Sequence, residues 1–343
     1  MRPKERKEAT VDPAEFGTYV HAVLEKTARR VLELGGFPQV SLEQTLEIAQ
    51  RYSDEYAAEH FAVLDSQRLA YLFRRNGQEL HMVVRELWEE LQQSKFQPAD
   101  FEVNFGSAGG LPPIAINGST MNAILRGFVD RVDTWKQHGN DYYRVIDYKT
   151  GKKDFDYCDG FNGVGLQLLL YLFALQECGG AVVGDRPIPA GVQYFPARAP
   201  YVNADGRMTE EELEKLRLKD LKRKGLLLSD EEVLQAMEPG ENPQRLSYSV
   251  KKDGSLSGDL ADREQLKLLK AYLQRILGKM VDEIASGNVE PNPYTRGSSH
   301  SACTFCPYGA VCHEAEVEGR RNYKTMTAQR FWDEIGKEMG SNG

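Results

Sequence analysis

The sequence predicts an α/β protein organised around a β-hairpin, and three observations carry that prediction. Amphipathic helical patterns fill the chain as far as residue 93. Alternation of period two takes over from Ala99. An almost wholly apolar stretch, GLQLLLYLFALQE at roughly 164–177, then follows the strands and reads as a buried helix.

Composition narrows the classes. At 343 residues the chain can bury a large core, and length alone allows two or three domains. Net charge is −8, from 43 basic and 51 acidic residues. The surface as a whole therefore does not advertise nucleic-acid binding, although a local basic groove can hide inside an acidic total. No run approaches the roughly 18 apolar residues of a membrane span, so no membrane partner is expected. The charged start MRPKERKEAT lacks the pattern of a signal peptide. Five unevenly spaced cysteines are no secreted disulfide framework, and the expected compartment is a reducing cytoplasm.

The first helix is expected over 12–34. Asp12-Pro13-Ala14-Glu15 supplies an N-cap, a first-turn proline and a capping-box glutamate. Phe16, Val20, Val23, Leu24 and Val31 make the apolar stripe, and Gly35-Gly36 ends it. His21 lies beside that stripe; the plainer reading is a core or boundary histidine. Two charged amphipathic helices follow near 41–60 and 65–93. Then ADFEVNFG alternates as a strand, and Glu102 on it reads either as an exposed residue or as a carboxylate supporting a site on the neighbouring hairpin.

The hairpin runs from Leu125 to Lys149, with Gln137-His138-Gly139-Asn140 as its turn. Period-two alternation puts Phe128, Asp130 and Val132 on one face of the first strand and Val145, Asp147 and Lys149 on one face of the second. Pairing brings Asp130 beside Asp147 with Lys149 one step further along. Two carboxylates and a lysine among apolar neighbours are costly to bury unless a cation compensates them, and carboxylate oxygens suit Mg²⁺ or Mn²⁺. The plainer reading is a surface hairpin with a salt-bridged Asp–Lys pair.

Gln167 and Tyr171 are the polar exceptions in the apolar helix, spaced i and i+4 and so on one face. They point at something polar, or Gln167 caps a nearby backbone group. Residues 188–197 read as a further strand, and 200–260 as an insertion carrying a charged helix from Thr209 to Lys224. Arg217, Lys219, Lys222, Arg223 and Lys224 are the densest basic cluster. With Lys152 and Lys153 after the hairpin, they either contact phosphates or form a solvated face. Helix 261–285 comes next. Near the end, Cys303, Cys306 and Cys312 form C-x₂-C-x₅-C, which points to a metal site. Three thiolates are one short of four, and Cys158, Cys178, His300 and His313 are the possible completions.

Together, His21 in a first helix, G-F-V-D with Asp130, I-D-Y-K-T-G with Asp147 and Lys149, and Q-x-x-x-Y with Gln167 and Tyr171 resemble the RecB-type branch of the PD-(D/E)xK nucleases. The strand GVQYFPAR, the insertion, the NPY before the cysteines and C-x₂-C-x₅-C narrow the resemblance to AddB-type nuclease domains of bacterial AddAB helicase–nucleases. That resemblance implies a restriction-endonuclease-like core, a mixed central sheet flanked by helices. It divides the chain into a helical arm (1–97), the core (98–199), the insertion (200–260) and a C-terminal helix with a cysteine-bearing strap (261–343).

It also implies roles. His21, Asp130, Asp147 and the Tyr148 carbonyl ligate Mg²⁺ or Mn²⁺. Lys149 orients the attacking water and stabilises charge on the phosphate, while Gln167 and Tyr171 position the scissile strand or the lysine. The implied function is metal-dependent exonucleolytic hydrolysis of DNA at double-strand break ends. The substrate is a single strand from an unwound duplex end, the one ending 5′, and an AddA-type helicase–nuclease subunit is the partner. Relatives of this type hold a [4Fe–4S] cluster whose first cysteine precedes the first helix. Here eleven residues precede it without a cysteine. The expectation is a chain starting inside the family pattern, with an incomplete or absent cluster. Rival readings are a stand-alone RecB-like exonuclease and a non-catalytic DNA-binding or scaffold module.

Overall fold

The computed structural model describes residues 13–61, 67–203, 206–297, 300–304, 306–312 and 319–340. The chain begins with α1 (Pro13–Glu33), α2 (Leu42–Phe61) and α3 (Gln67–Gln93). Five strands follow: β1 (Gln97–Phe105), β2 (Ile114–Asn117), β3 (Asn122–Leu125), β4 (Gly127–Gln137) and β5 (Asn140–Lys149). Then come α4 (Tyr157–Phe161), α5 (Gln167–Cys178), α6 (Gly180–Val183), β6 (Pro187–Pro196), α7 (Glu210–Asp220), β7 (Lys224–Leu228) and α8 (Glu231–Met237). The rest is β8 (Tyr248–Val250), β9 (Leu256–Gly258), β10 (Leu260–Ala261), α9 (Arg263–Ala285), β11 (Tyr294–Arg296), β12 (His300–Ser301), α10 (Gly309–Cys312), β13 (Arg321–Asn322) and α11 (Ala328–Gly340).

These elements divide into two compact units: Met1–Asn104 with Gly127–Phe155 and Tyr171–Ala261, and Phe105–Arg126 with Asp156–Leu170 and Asp262–Gly343. The first holds a six-stranded mixed sheet in the order β1-β4-β5-β6-β7-β10. β4 and β5 are antiparallel, β5 and β6 parallel, β6 and β7 antiparallel. Gln137 pairs with Asn140, leaving His138 and Gly139 as a two-residue turn with φ of 50° and 74°. Positive φ at both positions is the type I′ geometry that matches strand twist. One sheet face is covered by helices: Val20, Val23 and Leu24 of α1 and Leu80, Val84 and Leu87 of α3 pack with Ile146, Tyr148 and Phe195. On the other face, the Tyr143 hydroxyl donates to the Leu172 carbonyl of α5 at 2.7 Å. That two-sided cover explains why Asp141 to Tyr148 are all buried.

The segment read as an insertion supplies β7 and β10 to this sheet. The helix expected from Thr209 to Lys224 ends at Asp220, because Lys224–Leu228 pair along β6. Gly225 permits that pairing: a Cβ there would lie 1.9 Å from the Val192 carbonyl oxygen. No helix among the described residues is long and apolar enough to cross a membrane.

In the second unit, α9 opens with a capping box formed by Asp262 and Gln265. The β2–β3 turn is tied to this helix by Asp282, whose carboxylate accepts from the Ser119 amide at 2.7 Å. Tyr272 donates to the Phe161 carbonyl at 2.7 Å, and Phe331 of α11 packs against Tyr157.

Candidate active site

The antiparallel β4–β5 pair sets the first two carboxylates. Asp130 accepts a hydrogen bond from the Tyr148 amide at 2.7 Å, which pins the β4 carboxylate to β5. α1 then brings His21 against both strands. Its Nδ1 lies 3.5 Å from the Asp130 carboxylate and its Nε2 3.0 Å from the Tyr148 carbonyl oxygen. Burial pushes His21 towards its neutral form, but the hydrogen bond to Asp130 and that carboxylate's charge outweigh it, and the net pKa is raised. His21 thus reaches both hairpin strands, beyond the α1 stripe it lies beside.

Glu102 is the addition the sequence left open. One ligand atom each from His21, Glu102 and Asp130 lie within 4.8 Å of one another. Glu102 reaches this group from a strand residue with φ of +48°. A left-handed conformation at a glutamate costs about 1–3 kcal/mol, and such strain persists only where surrounding structure enforces it. Burial, then the charges of Asp130 and Glu25, raise its pKa. Alternation along β1 hinted at a face; the backbone twist that aims this carboxylate has no signature in the residue type.

Asp147 and Lys149 form a second pair, with the ammonium 2.5 Å from the carboxylate. Burial and the charge of Asp130 raise the Asp147 pKa, with Lys149 opposing them. The centre thus holds three carboxylates against one lysine and a histidine. Tyr171 is buried on α5, and its hydroxyl occupies the space beside Gly127, where a Cβ would come within 2.0 Å of it. Gln167, one turn earlier, is exposed at the start of the helix in the second unit.

The donor set fits a divalent cation: one imidazole nitrogen and two carboxylates converge, the Tyr148 carbonyl adjoins the imidazole, and Asp147 stands outside that trio with its pKa raised by burial and by the charge of Asp130. The cysteines fit a four-thiolate cluster less well. Cys306 closes a turn on the Cys303 carbonyl, Cys312 ends α10, and both Cys306 and Cys312 are exposed. Among the described residues these thiols do not converge as His21, Glu102 and Asp130 do. Cys158 is buried with its thiol donating to the Lys324 carbonyl, Cys178 donates to Ala174, and His300 faces Asp159 at 3.4 Å. His313 and the chain start lie outside the described residues.

Beside the acidic centre the first unit has a cavity of about 710 Å³ lined by Lys149, Lys152, Lys153, Lys219, Lys222 and Lys224. Asp220 and Asp154 temper it, 3.6 Å from Lys152 and 3.9 Å from Lys224. Two members of the expected basic cluster stand elsewhere. Arg217 is on the exposed α7 face beside Glu214, at 3.6 Å. Arg223 is a correction: it is 2% exposed, held by Glu90 at 2.9 Å and Glu86 at 3.2 Å, and so cannot meet a phosphate. A guanidinium within a hydrogen-bonding carboxylate pair is consumed by it.

Comparison with known proteins gives a consistent picture. Residues 1–313 match the model of the PD-(D/E)XK nuclease superfamily. The chain is 36% identical to a subunit of the ATP-dependent helicase/deoxyribonuclease of Acetivibrio thermocellus, over 98% of its own length and 30% of that protein. The corresponding protein of Moorella thermoacetica is also 36% identical, over 98% of this chain and 30% of the relative. That of Thermoanaerobacter sp. is 33% identical over the whole chain and 31% of the relative. The chain thus spans about 30% of the length of the curated relatives it matches.

Proposed function

This chain belongs to the PD-(D/E)XK nuclease superfamily, and on that premise we propose that it hydrolyses phosphodiester bonds in DNA as the nuclease portion of a helicase–nuclease. The observation that carries the reading is the convergence of His21, Glu102 and Asp130 beside the Asp147–Lys149 pair. The helicase/deoxyribonuclease names of the relatives support a DNA substrate fed by a helicase partner, of the AddA type by resemblance. The substrate is then a single strand from an unwound break end, the one ending 5′, and the work is cytoplasmic recombinational repair.

His21, Asp130, Asp147 and the Tyr148 carbonyl hold Mg²⁺ or Mn²⁺ in this reading, with Glu102 as an additional carboxylate. The cation supplies Lewis-acid polarisation of the scissile phosphate. Asp130 fixes the β5 amide and presents its remaining lone pairs to the centre. Lys149, whose side chain is 37% exposed, has room to turn from Asp147 to the attacking water and the phosphate oxygen that gains charge. Lys152, Lys153, Lys222, Lys224 and Lys219 hold backbone phosphates in the adjoining cavity, with Arg217 as an outlying contact. Gln167 and Tyr171 position the strand.

The decisive experiment is cleavage of end-labelled single-stranded DNA with Mg²⁺ or Mn²⁺. Lys149→Ala is expected to lower kcat about 10²–10³-fold, the scale for losing one group that stabilises transition-state charge, while divalent-cation binding persists. Near-wild-type cleavage by this variant would remove the assignment.

A further inference from the structure

Phe128 is 52% exposed two residues before Asp130 on β4. Scattered exposed apolar residues are ordinary; the place of this one is not. Strand alternation gives Phe128 the face of Asp130, while Val129, Arg131 and Asp133 on the opposite face are all buried. Arg131 pairs with Ile146 in antiparallel register. The ladder ends there, and beyond it the Asp130 carboxylate takes the Tyr148 amide; Phe128 lies two residues, about 7 Å, along the same strand from Asp130.

The other side of Lys149 is equally well placed. In the parallel β5–β6 register Asp147 pairs with Tyr194 and Lys149 with Pro196, and Tyr194 pairs across to Lys224. Tyr194, Pro196 and Lys224 all line the basic cavity. Crossing β4, β5, β6 and β7 in that order, a line two residues deep meets an exposed ring, the acidic centre with its lysine, and then the cluster of ammonium groups. At strand spacings of about 4.8 Å this line is roughly 14 Å long, the reach of a few nucleotides. The Tyr171 hydroxyl, admitted by Gly127, marks the same end of β4.

We propose that Phe128 is a stacking platform for an unpaired base of the nucleotide flanking the scissile phosphate, on the side of Lys149 away from the basic cavity. The cavity takes phosphates; the ring takes the face of a base. Every base has a π-face, so the contact tolerates sequence. A base can stack on the ring only if it has left its partner, so this contact favours single strands over duplex. The proposal rests on the nuclease reading of the same site.

The test is an oligonucleotide carrying one abasic position, scanned along the strand. With the native protein, one position beside the cleavage site is expected to raise KM about 5- to 150-fold, the range for one base–aromatic stack. Phe128→Ala should raise KM on the intact strand by a similar factor and become insensitive to that abasic position, while Phe128→Trp restores both. Unchanged Mn²⁺ binding and thermal unfolding separate this from a structural defect. Additive effects of Phe128→Ala and the abasic position, or no KM change in the variant, would overturn the proposal. Binding of a strand with 2-aminopurine at the same position, without metal, separates the two readings. Quenching that Phe128→Ala abolishes, in a protein that cleaves nothing, would defeat the nuclease reading and leave the stacking standing. Cleavage without such quenching would do the reverse.

Discussion

Asp130 and Arg131 are neighbours on β4, yet they face opposite sides of the sheet and belong to opposite electrostatic regimes. On Arg131's side, Arg131, Arg144, Arg223 and Arg245 meet Glu86, Glu89, Glu90 and Asp133, four cations to four anions. Every one of these ion pairs joins side chains held out of bulk water or at its margin, and Gln193 accepts one further bond from Arg144 at 3.0 Å. On Asp130's side, Glu102, Asp130 and Asp147 are set against Lys149, with His21 as a titratable reserve. Matched buried charges hold α3 to the sheet and are finished chemically. On the other side, where three carboxylates face one lysine, Glu102 and Asp147 have raised pKa values.

The largest test of that contrast removes a charge from the unmatched side. Asp130→Asn should lower cleavage by at least about 10³-fold, since Lewis-acid stabilisation is worth several kcal/mol. It should leave the melting temperature unchanged or raised, because the repelling carboxylates lose a member. Single-turnover cleavage and thermal unfolding read the two effects; a large loss of stability would make the two faces alike and break the comparison.

On the matched side the outcome should invert. Glu90→Gln leaves Arg131 and Arg144 to share Asp133 and leaves Arg223 with Glu86, and should cost about 3–5 kcal/mol of stability in urea denaturation, with little change in cleavage per folded molecule. The pH dependence sharpens this. Burial by itself would raise Glu90, but the charges of Arg144, Arg223 and Arg131 outweigh it and lower its pKa from 4.5 to about 2. A folded pKa below the unfolded value gives stabilisation that is complete above pH 4.5 and lost as the pH falls through about 2. That window should remove about 3 kcal/mol from the native protein, and the Glu90→Gln variant should lack this component of acid unfolding.

The smallest effect separates the two kinds of basic residue. Lys219→Gln with Lys222→Gln should reduce the salt slope of single-strand binding by about 0.7 for each phosphate no longer neutralised. Arg223→Gln should leave the slope alone and lower stability instead. Equal slopes in all three proteins would mean the cavity lysines are solvated and nothing more.

What the sequence alone determined about this protein is whatever depends on near neighbours along the chain. Period-two alternation fixed Asp130, Asp147 and Lys149 to one face, because side-chain direction in a strand is set by backbone pleat. The His138-Gly139 turn and the apolar stripe of α1 were legible for the same reason, and His21 could be placed on α1 but not assigned. Tertiary structure alone decided the rest. Glu102 enters the site through a φ of +48° that its surroundings impose. Arg223, indistinguishable by composition from Lys222 and Lys224, is buried because Glu90 of α3 meets it from 133 residues away. β7 became a strand of the sheet when Gly225 let its backbone close on Val192. Local geometry is short-ranged and leaves its mark in sequence order. The partner that neutralises a charge is chosen by which surfaces the fold brings together, and no spacing along the chain records that choice.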